Sequence, residues 1–120
     1  MTVQINTWLT DMDGVLVHEQ RALPGAADFI KTLRDNDRNF LVLTNNPMYT
    51  PRDLSARLKL SGIEIPEENI WTSALATAQF VSQTIPHGSA YVIGEAGLTT
   101  ALHEAGYILS DRNPDYVVLG

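Results

Sequence analysis

The sequence predicts an α/β fold: a parallel-sheet, Rossmann-like core with helices covering the sheet. Two observations predict it. Short apolar runs alternate with longer segments of helical periodicity, and polar residues collect where the apolar runs end. Strands alternating with helices imply a mainly parallel sheet. In such sheets ligands bind beyond the carboxyl ends of the strands.

Residues 7–11, TWLTD, form the first expected strand. Pro24 then opens PGAADFIKTLRDND, where Ala26, Phe29, Ile30 and Leu33 recur at helical spacing and the proline suits a first turn. NFLVLT, residues 39–44, is an apolar run of the kind a buried parallel strand shows, and TNNP ends it as a turn. Thr50 can cap a helix from Pro51 with Leu54, Leu58 and Leu60 as its apolar stripe, and Gly62 stops it. NIWTS, residues 69–73, is a third strand, and Ser73 can cap the helix ALATAQFVSQT. IPHGS, residues 85–89, is the best linker candidate. The strand AYVIG, the helix LTTALHEAG ending on Gly106, and the strands YILS and DYVVLG follow. Trp8, Trp71 and Tyr91 lie on expected strands and read as core, while Glu67 and Glu68 read as a solvated face.

At 120 residues the chain is one domain or part of one. Its 44% hydrophobic and 18% charged residues are those of a globular protein with a real core. A formal net charge of −6 argues against non-specific binding to nucleic acid or an anionic membrane, yet leaves room for a small phosphate-bearing ligand at a local site. The absence of cysteine excludes disulfides, thiolate metal sites and a cysteine nucleophile. MTVQINTWLT has neither the basic nor the apolar part of a signal segment, and no apolar run reaches the length of about 18 residues that a membrane span needs. A cytoplasmic protein is therefore expected.

The stretch DMDG carries the chemistry. Asp11 and Asp13 end the first strand; Thr44, Asn45 and Asn46 end the second; Ser73 ends the third. In an extended chain positions i and i+2 face the same way, about 6–7 Å apart, so Asp11 and Asp13 can address one substrate. Two carboxylates beside hydroxyl and amide groups suit phosphoryl transfer. One attacks phosphorus and the other handles protons, with Mg²⁺ on hard oxygen ligands offsetting the negative charge. Gly14 frees the backbone to turn beside the ion. Thr44 and the amides of the following turn can bind phosphoryl oxygens. A calcium loop starting at Asp11 is excluded: it would place Val15, Leu16 and Ala22 where an oxygen ligand, a glycine and a glutamate are required. His18 reads as an exposed loop residue. His87 and His103 lack a second histidine at ligand spacing. GEAG, residues 94–97, is a helix entry rather than a dinucleotide fingerprint.

DMDGVL followed by LVLTNNP resembles the haloacid dehalogenase superfamily of phosphohydrolases, and more closely its NagD-like subfamily. LPGAADFIKTL, IWTSALATAQFV, AYVIGEAGLTTALHEAGY and NPDYVVLG extend that resemblance over nearly the whole chain. It implies a Mg²⁺-dependent phosphatase acting on nucleoside monophosphates, sugar phosphates or related small phosphomonoesters through an aspartyl-phosphate. Asp11 would be nucleophile and metal ligand. Asp13 would be general acid and base, with its carbonyl on the metal. Thr44, helped by the backbone of Asn45, would hold the transferring phosphoryl group. By the same template residues 1–86 are the first part of the hydrolase core and residues 87–120 begin an α/β cap.

The family also uses a later lysine and an acidic cluster. Lys31 and Lys59 both fall on expected helices, and Asp111 and Asp115 precede a strand. The chain is therefore expected to be the N-terminal portion of a longer protein, inactive alone, with the missing C-terminal half completing the fold; the oligomeric state stays open. A receiver-type phosphoacceptor domain is a weaker reading, because the third strand ends in Trp71-Thr72-Ser73 with no acceptor aspartate. A catalytically incomplete fragment or an interaction module is the alternative from another class.

Overall fold

A computed structural model describes residues 2–120. They form two compact units. One joins the residues up to Thr44 with Arg52–Trp71; the other joins Asn45–Pro51 with Thr72–Gly120.

In the first unit, strand β1 (Thr7–Asp11) is followed by a small antiparallel hairpin, β2 (Val17–His18) and β3 (Arg21–Ala22). Helix α1 (Ala26–Asp35), strand β4 (Asn39–Thr44) and helix α2 (Pro51–Leu60) follow, then a single 3₁₀ turn (Glu67–Asn69) and strand β5 (Ile70–Thr72). The sheet order is β1-β4-β5. β1 and β4 run parallel, in register from Thr7 opposite Asn39 to Asp11 opposite Leu43. Among the described residues β1 pairs on one side only.

Strand β4 alternates along its length: Phe40, Val42 and Thr44 are buried, and the residues between them are not. Helix α1 buries Ala26, Ile30 and Leu33, the i, i+4, i+7 face of an amphipathic helix. It begins at Ala26, later than Pro24, because Gly25 at φ +86° starts it and accepts the first helical hydrogen bond from the Phe29 N–H at 2.9 Å. Helix α2 buries Leu54 and Leu58, but Leu60 is 91% exposed and does not extend the expected stripe. Two side-chain links tie loops to elements: Asn69 Nδ2 donates to the Phe40 carbonyl at 2.8 Å, and Ser55 Oγ donates to the Ile65 carbonyl at 2.6 Å.

The second unit contains helix α3 (Ser73–Thr84), strand β6 (Ser89–Ile93), helix α4 (Ala96–Glu104), and strands β7 (Ile108–Leu109) and β8 (Tyr116–Leu119). Its sheet is parallel in the order β7-β6-β8. The core joins Ala74, Ala78 and Val81 of α3, Leu98, Ala101 and Leu102 of α4, Ala90, Val118 and Tyr107. Alanines on both helices let them approach closely. The cap of α3 is Thr72 rather than Ser73: Thr72 Oγ1 accepts from the Leu75 N–H at 3.1 Å. Helix α4 starts at Ala96, two residues before the expected Leu98.

The aromatic strand residues correct the sequence reading. Trp8 is half-buried and meets Phe29 edge to face at 5.8 Å, while Trp71 is 36% and Tyr91 44% exposed. Tyr91 and Ile93 stand opposite Val117 and Leu119 on a sheet face left in water, whereas Ala90 and Val118 point to the core. Glu67 and Glu68 are exposed, as expected.

Candidate active site

The site is built from the carboxyl end of β1. Asp11 is the last residue of that strand and Asp13 lies two residues on; both are exposed, and Met12 between them is buried. Met12 is a bend rather than a strand residue, so its buried side chain anchors the turn between two exposed aspartates. Asp11 Oδ1 accepts from the Met12 N–H at 2.8 Å, which fixes the carboxylate against its own backbone. Thr10 Oγ1 donates to the Asp11 carbonyl at 3.0 Å.

The chain then turns sharply. Gly14 has φ +80°, a conformation open to glycine at little cost, and its N–H donates to the Val17 carbonyl at 2.7 Å. The Met12 carbonyl accepts from Leu16 at 2.9 Å and from Val17 at 3.2 Å. These bonds and the Asp13–Val17 bridge lead directly into the β2–β3 hairpin. Its two-residue turn, Glu19–Gln20, holds both residues at positive φ, the twist that suits a tight hairpin. His18 lies exposed on this hairpin rather than in a loop. Sequence reasoning missed the hairpin, since two residues per strand show no periodicity and the turn lacks Asn-Gly.

Thr44 ends the neighbouring strand and is buried. It stands one residue beyond Leu43, the register partner of Asp11, so Asp11 and Thr44 occupy the carboxyl ends of adjacent parallel strands, with Asp13 in the turn that follows β1. Asn45 follows, exposed, in the segment assigned to the second unit. There its carbonyl accepts from Ser73 Oγ at 3.1 Å, and Asn46 Oδ1 accepts from the Met48 N–H at 2.8 Å. Among the described residues no group of three or more His, Asp or Glu side chains is placed to hold a metal, and no helix is long and apolar enough to cross a membrane. Among the described residues Asp11 and Asp13 thus belong to no acidic cluster of three or more placed to hold a metal.

Residues 8–108 match the family model described as haloacid dehalogenase-like hydrolase. The chain belongs to the haloacid dehalogenase-like hydrolases. Within that family it is similar to the dihydroxyacetone phosphatase of Corynebacterium glutamicum, at 62% identity over 120 residues. That alignment covers all of this chain and 43% of the relative. It is 40% identical over 116 residues to the ribonucleotide monophosphatase NagD of Escherichia coli K12, covering 97% of this chain and 46% of that protein. The solved structure of NagD from Escherichia coli K-12 superimposes with a TM-score of 0.91 at 39% identity, over 98% of this chain and 47% of the other. The NagD-like resemblance and the partial α/β fold thus stand, and the chain spans about half the length of the curated relatives it matches.

Proposed function

We propose that the protein containing this chain is a Mg²⁺-dependent phosphatase of small phosphomonoesters, nucleoside monophosphates or sugar phosphates, working through an aspartyl-phosphate on Asp11. The observation that carries this reading is that Asp11 and Thr44 end adjacent parallel strands, with Asp13 exposed two residues past Asp11. Membership of a hydrolase family whose similar relatives are named phosphatases supports it.

In this reading an Asp11 carboxylate oxygen attacks phosphorus and the bond to the leaving oxygen breaks. Asp13 gives that oxygen a proton. Asp13, now a carboxylate, takes a proton from water. The water oxygen attacks phosphorus, and the bond to Asp11 breaks to release inorganic phosphate. Thr44 and the backbone at Asn45 hold the phosphoryl oxygens and keep the group in line. The donors fit Mg²⁺: the Asp11 carboxylate and the Asp13 carbonyl are hard oxygen ligands at the exposed end of β1, and this ion typically takes few protein ligands while keeping several waters. When bound, the ion offsets charge between the attacking carboxylate and the phosphate. Residues 1–86 serve as the first part of the hydrolase core and residues 87–120 as the start of a cap in the same reading.

Inorganic phosphate release from a panel of nucleoside monophosphates, sugar phosphates and triose phosphates, with and without Mg²⁺, by a protein that carries this chain at the full length of its relatives, tests this. Turnover of at least one class that disappears on chelation is expected. No turnover of any phosphomonoester would overturn the reading and favour a non-catalytic interaction module.

A further inference from the structure

The GEAG stretch at the start of α4 does more than open a helix. Gly97 is buried, and its N–H donates to the Met48 carbonyl at 2.9 Å. A Cβ placed on Gly97 would stand 2.5 Å from the Pro47 carbonyl oxygen and 2.6 Å from that of Tyr49, distances that real Cβ atoms essentially never show. Gly97 lies within α4 and not in the left-handed region, so its backbone would accept alanine. It is space, not conformation, that requires glycine here. The obstacle is main chain, which cannot swing aside as a side-chain tip can.

The segment receiving this contact, residues 45–51, begins at the residue after Thr44. Its first carbonyl, that of Asn45, accepts from Ser73 Oγ at 3.1 Å. Asn46 closes a local turn on the Met48 N–H. The segment is thus held at one end by Ser73 and in its middle by Gly97. Leu98, beside Gly97, is fully buried, and its side chain would also meet a Cβ at Gly120, 2.7 Å away.

We propose that Gly97 is a positioning residue for phosphate binding: its close approach to Pro47 and Tyr49 seats the loop that sets the backbone at Asn45. The proposal rests on the reading that Thr44 and Asn45 bind the phosphoryl group. A displacement of about 1 Å in a group of this kind can cost on the order of a hundredfold in a reaction. Adding one methyl group at Gly97 forces the main chain at Pro47 and Tyr49, in the middle of the loop, to shift.

The experiment compares Gly97→Ala with Ala96→Gly in the isotope-labelled 120-residue chain. Ala96 is exposed in the same first turn, so its replacement loosens the helix without entering the loop. Amide spectra and hydrogen exchange are recorded first without ligand, then during titration with inorganic phosphate into the millimolar range with Mg²⁺ in excess, where the weak binding expected of this chain is still read from amide shifts. Gly97→Ala is expected to move the Asn45–Tyr49 signals and speed exchange there, with signals of β1 and β4 unchanged. It should weaken the phosphate response at Asn45 by on the order of tenfold. Ala96→Gly should leave the loop and the response close to wild type. Loop signals and phosphate response unchanged in Gly97→Ala, or equally altered in Ala96→Gly, would overturn the proposal. A wild-type chain without phosphate response at Thr44 and Asn45 would overturn the phosphate-binding reading and this role of Gly97 with it, while the ligand-free signals would still decide whether Gly97 seats the loop.

Discussion

Asp11 and Thr44 end adjacent parallel strands, with Thr44 one residue past the register partner of Asp11. A strand spacing of about 4.8 Å puts the backbones of these two residues within reach of one phosphate group. This relation orders the expected effects of mutation. In a protein that carries this chain at the full length of its relatives, Asp11→Asn should lower the proposed phosphatase turnover by on the order of 10³-fold or more, because an amide cannot attack phosphorus. Asp13→Asn should lose roughly 10²–10⁴-fold, the range for removing an acid–base group, and should still form phosphoenzyme from substrates with a good leaving group. Phosphate release and trapping of labelled phosphoenzyme check both. Full activity of Asp11→Asn would remove it as nucleophile.

The 120-residue chain by itself should bind Mg²⁺ weakly and hydrolyse phosphomonoesters little. Asp11 and Asp13 have no third acidic group beside them among the described residues, and Mg²⁺ dehydrates reluctantly. With so few ligands to hold the ion, repulsion between the carboxylate and the phosphate is only partly offset. Titration calorimetry with Mg²⁺ and a phosphate-release assay test this. Turnover that matches a full-length relative and vanishes with Asp11→Asn would contradict it.

What the sequence could reveal follows from the range of each signal. Alternating apolar runs and Gly or Pro punctuation are local, so the strands TWLTD, NFLVLT and DYVVLG and the helix from Pro51 are legible from the chain alone. The D-x-D spacing and the position of Thr44 are equally local once a parallel sheet is assumed. Whether a sheet face is covered is not local. Tyr91 and Val117 look like core residues by type, yet their side of the β6–β8 pair faces water. The requirement for glycine at residue 97 is also invisible, because the carbonyls it avoids lie about fifty residues away at Pro47 and Tyr49. Thr72 and Ser73 are both good capping residues, and only the hydrogen bond to Leu75 separates them.

Two leucines on helices should separate burial from mere helical spacing. Leu102 is fully buried within the second core, whereas Leu60 at the end of α2 is 91% exposed. Leu102→Ala is expected to cost about 2–5 kcal/mol through lost transfer energy and the cavity left behind. Leu60→Ala should stay within about 0.5 kcal/mol of wild type. Urea unfolding followed by circular dichroism measures both. A large loss for Leu60→Ala would mean that its side chain is covered in solution.

Tyr107 gives the second unit an alkaline limit. Its hydroxyl is within hydrogen-bond distance of the Val81 carbonyl at 2.8 Å and the Ile85 carbonyl at 2.5 Å, so it ties the end of α3 to the segment before β7. Burial pushes the phenol above its ordinary value of 10.0, with Tyr116 and Asp115 adding to the effect. A raised folded value means that the neutral phenol is the form the fold prefers. Its contribution is complete below pH 10 and is lost as pH rises through the folded value. Thermal midpoints should therefore fall above pH 10 more steeply in wild type than in Tyr107→Phe, which loses the hydrogen bonds at every pH. Parallel alkaline profiles would show that Tyr107 does not set the limit.

The last expectation concerns the side of β1 that is unpaired among the described residues. A strand with one unpaired edge offers a row of backbone donors and acceptors to another chain. On β1 Leu9 is 64% exposed, and Val3 and Ile5 just before it are exposed as well. A concavity of about 840 Å³ opens at the amino-terminal end of this strand, lined by Val3, Ile5, Trp8, Phe29 and Leu33 among others. It is a largely apolar surface at the opposite end of β1 from Asp11. Edge pairing and apolar burial can therefore act together, and the chain should self-associate as its concentration rises. Lysine on an edge strand opposes such pairing by charge and hydration. Leu9→Lys should shift the population toward monomer while leaving Asp11 and β4 in place. Sedimentation velocity over a wide concentration range, with circular dichroism to verify folding, reads the outcome. A wild-type chain that stays monomeric throughout, or a folded Leu9→Lys variant that associates as strongly as wild type, would show that this edge is not the point of contact.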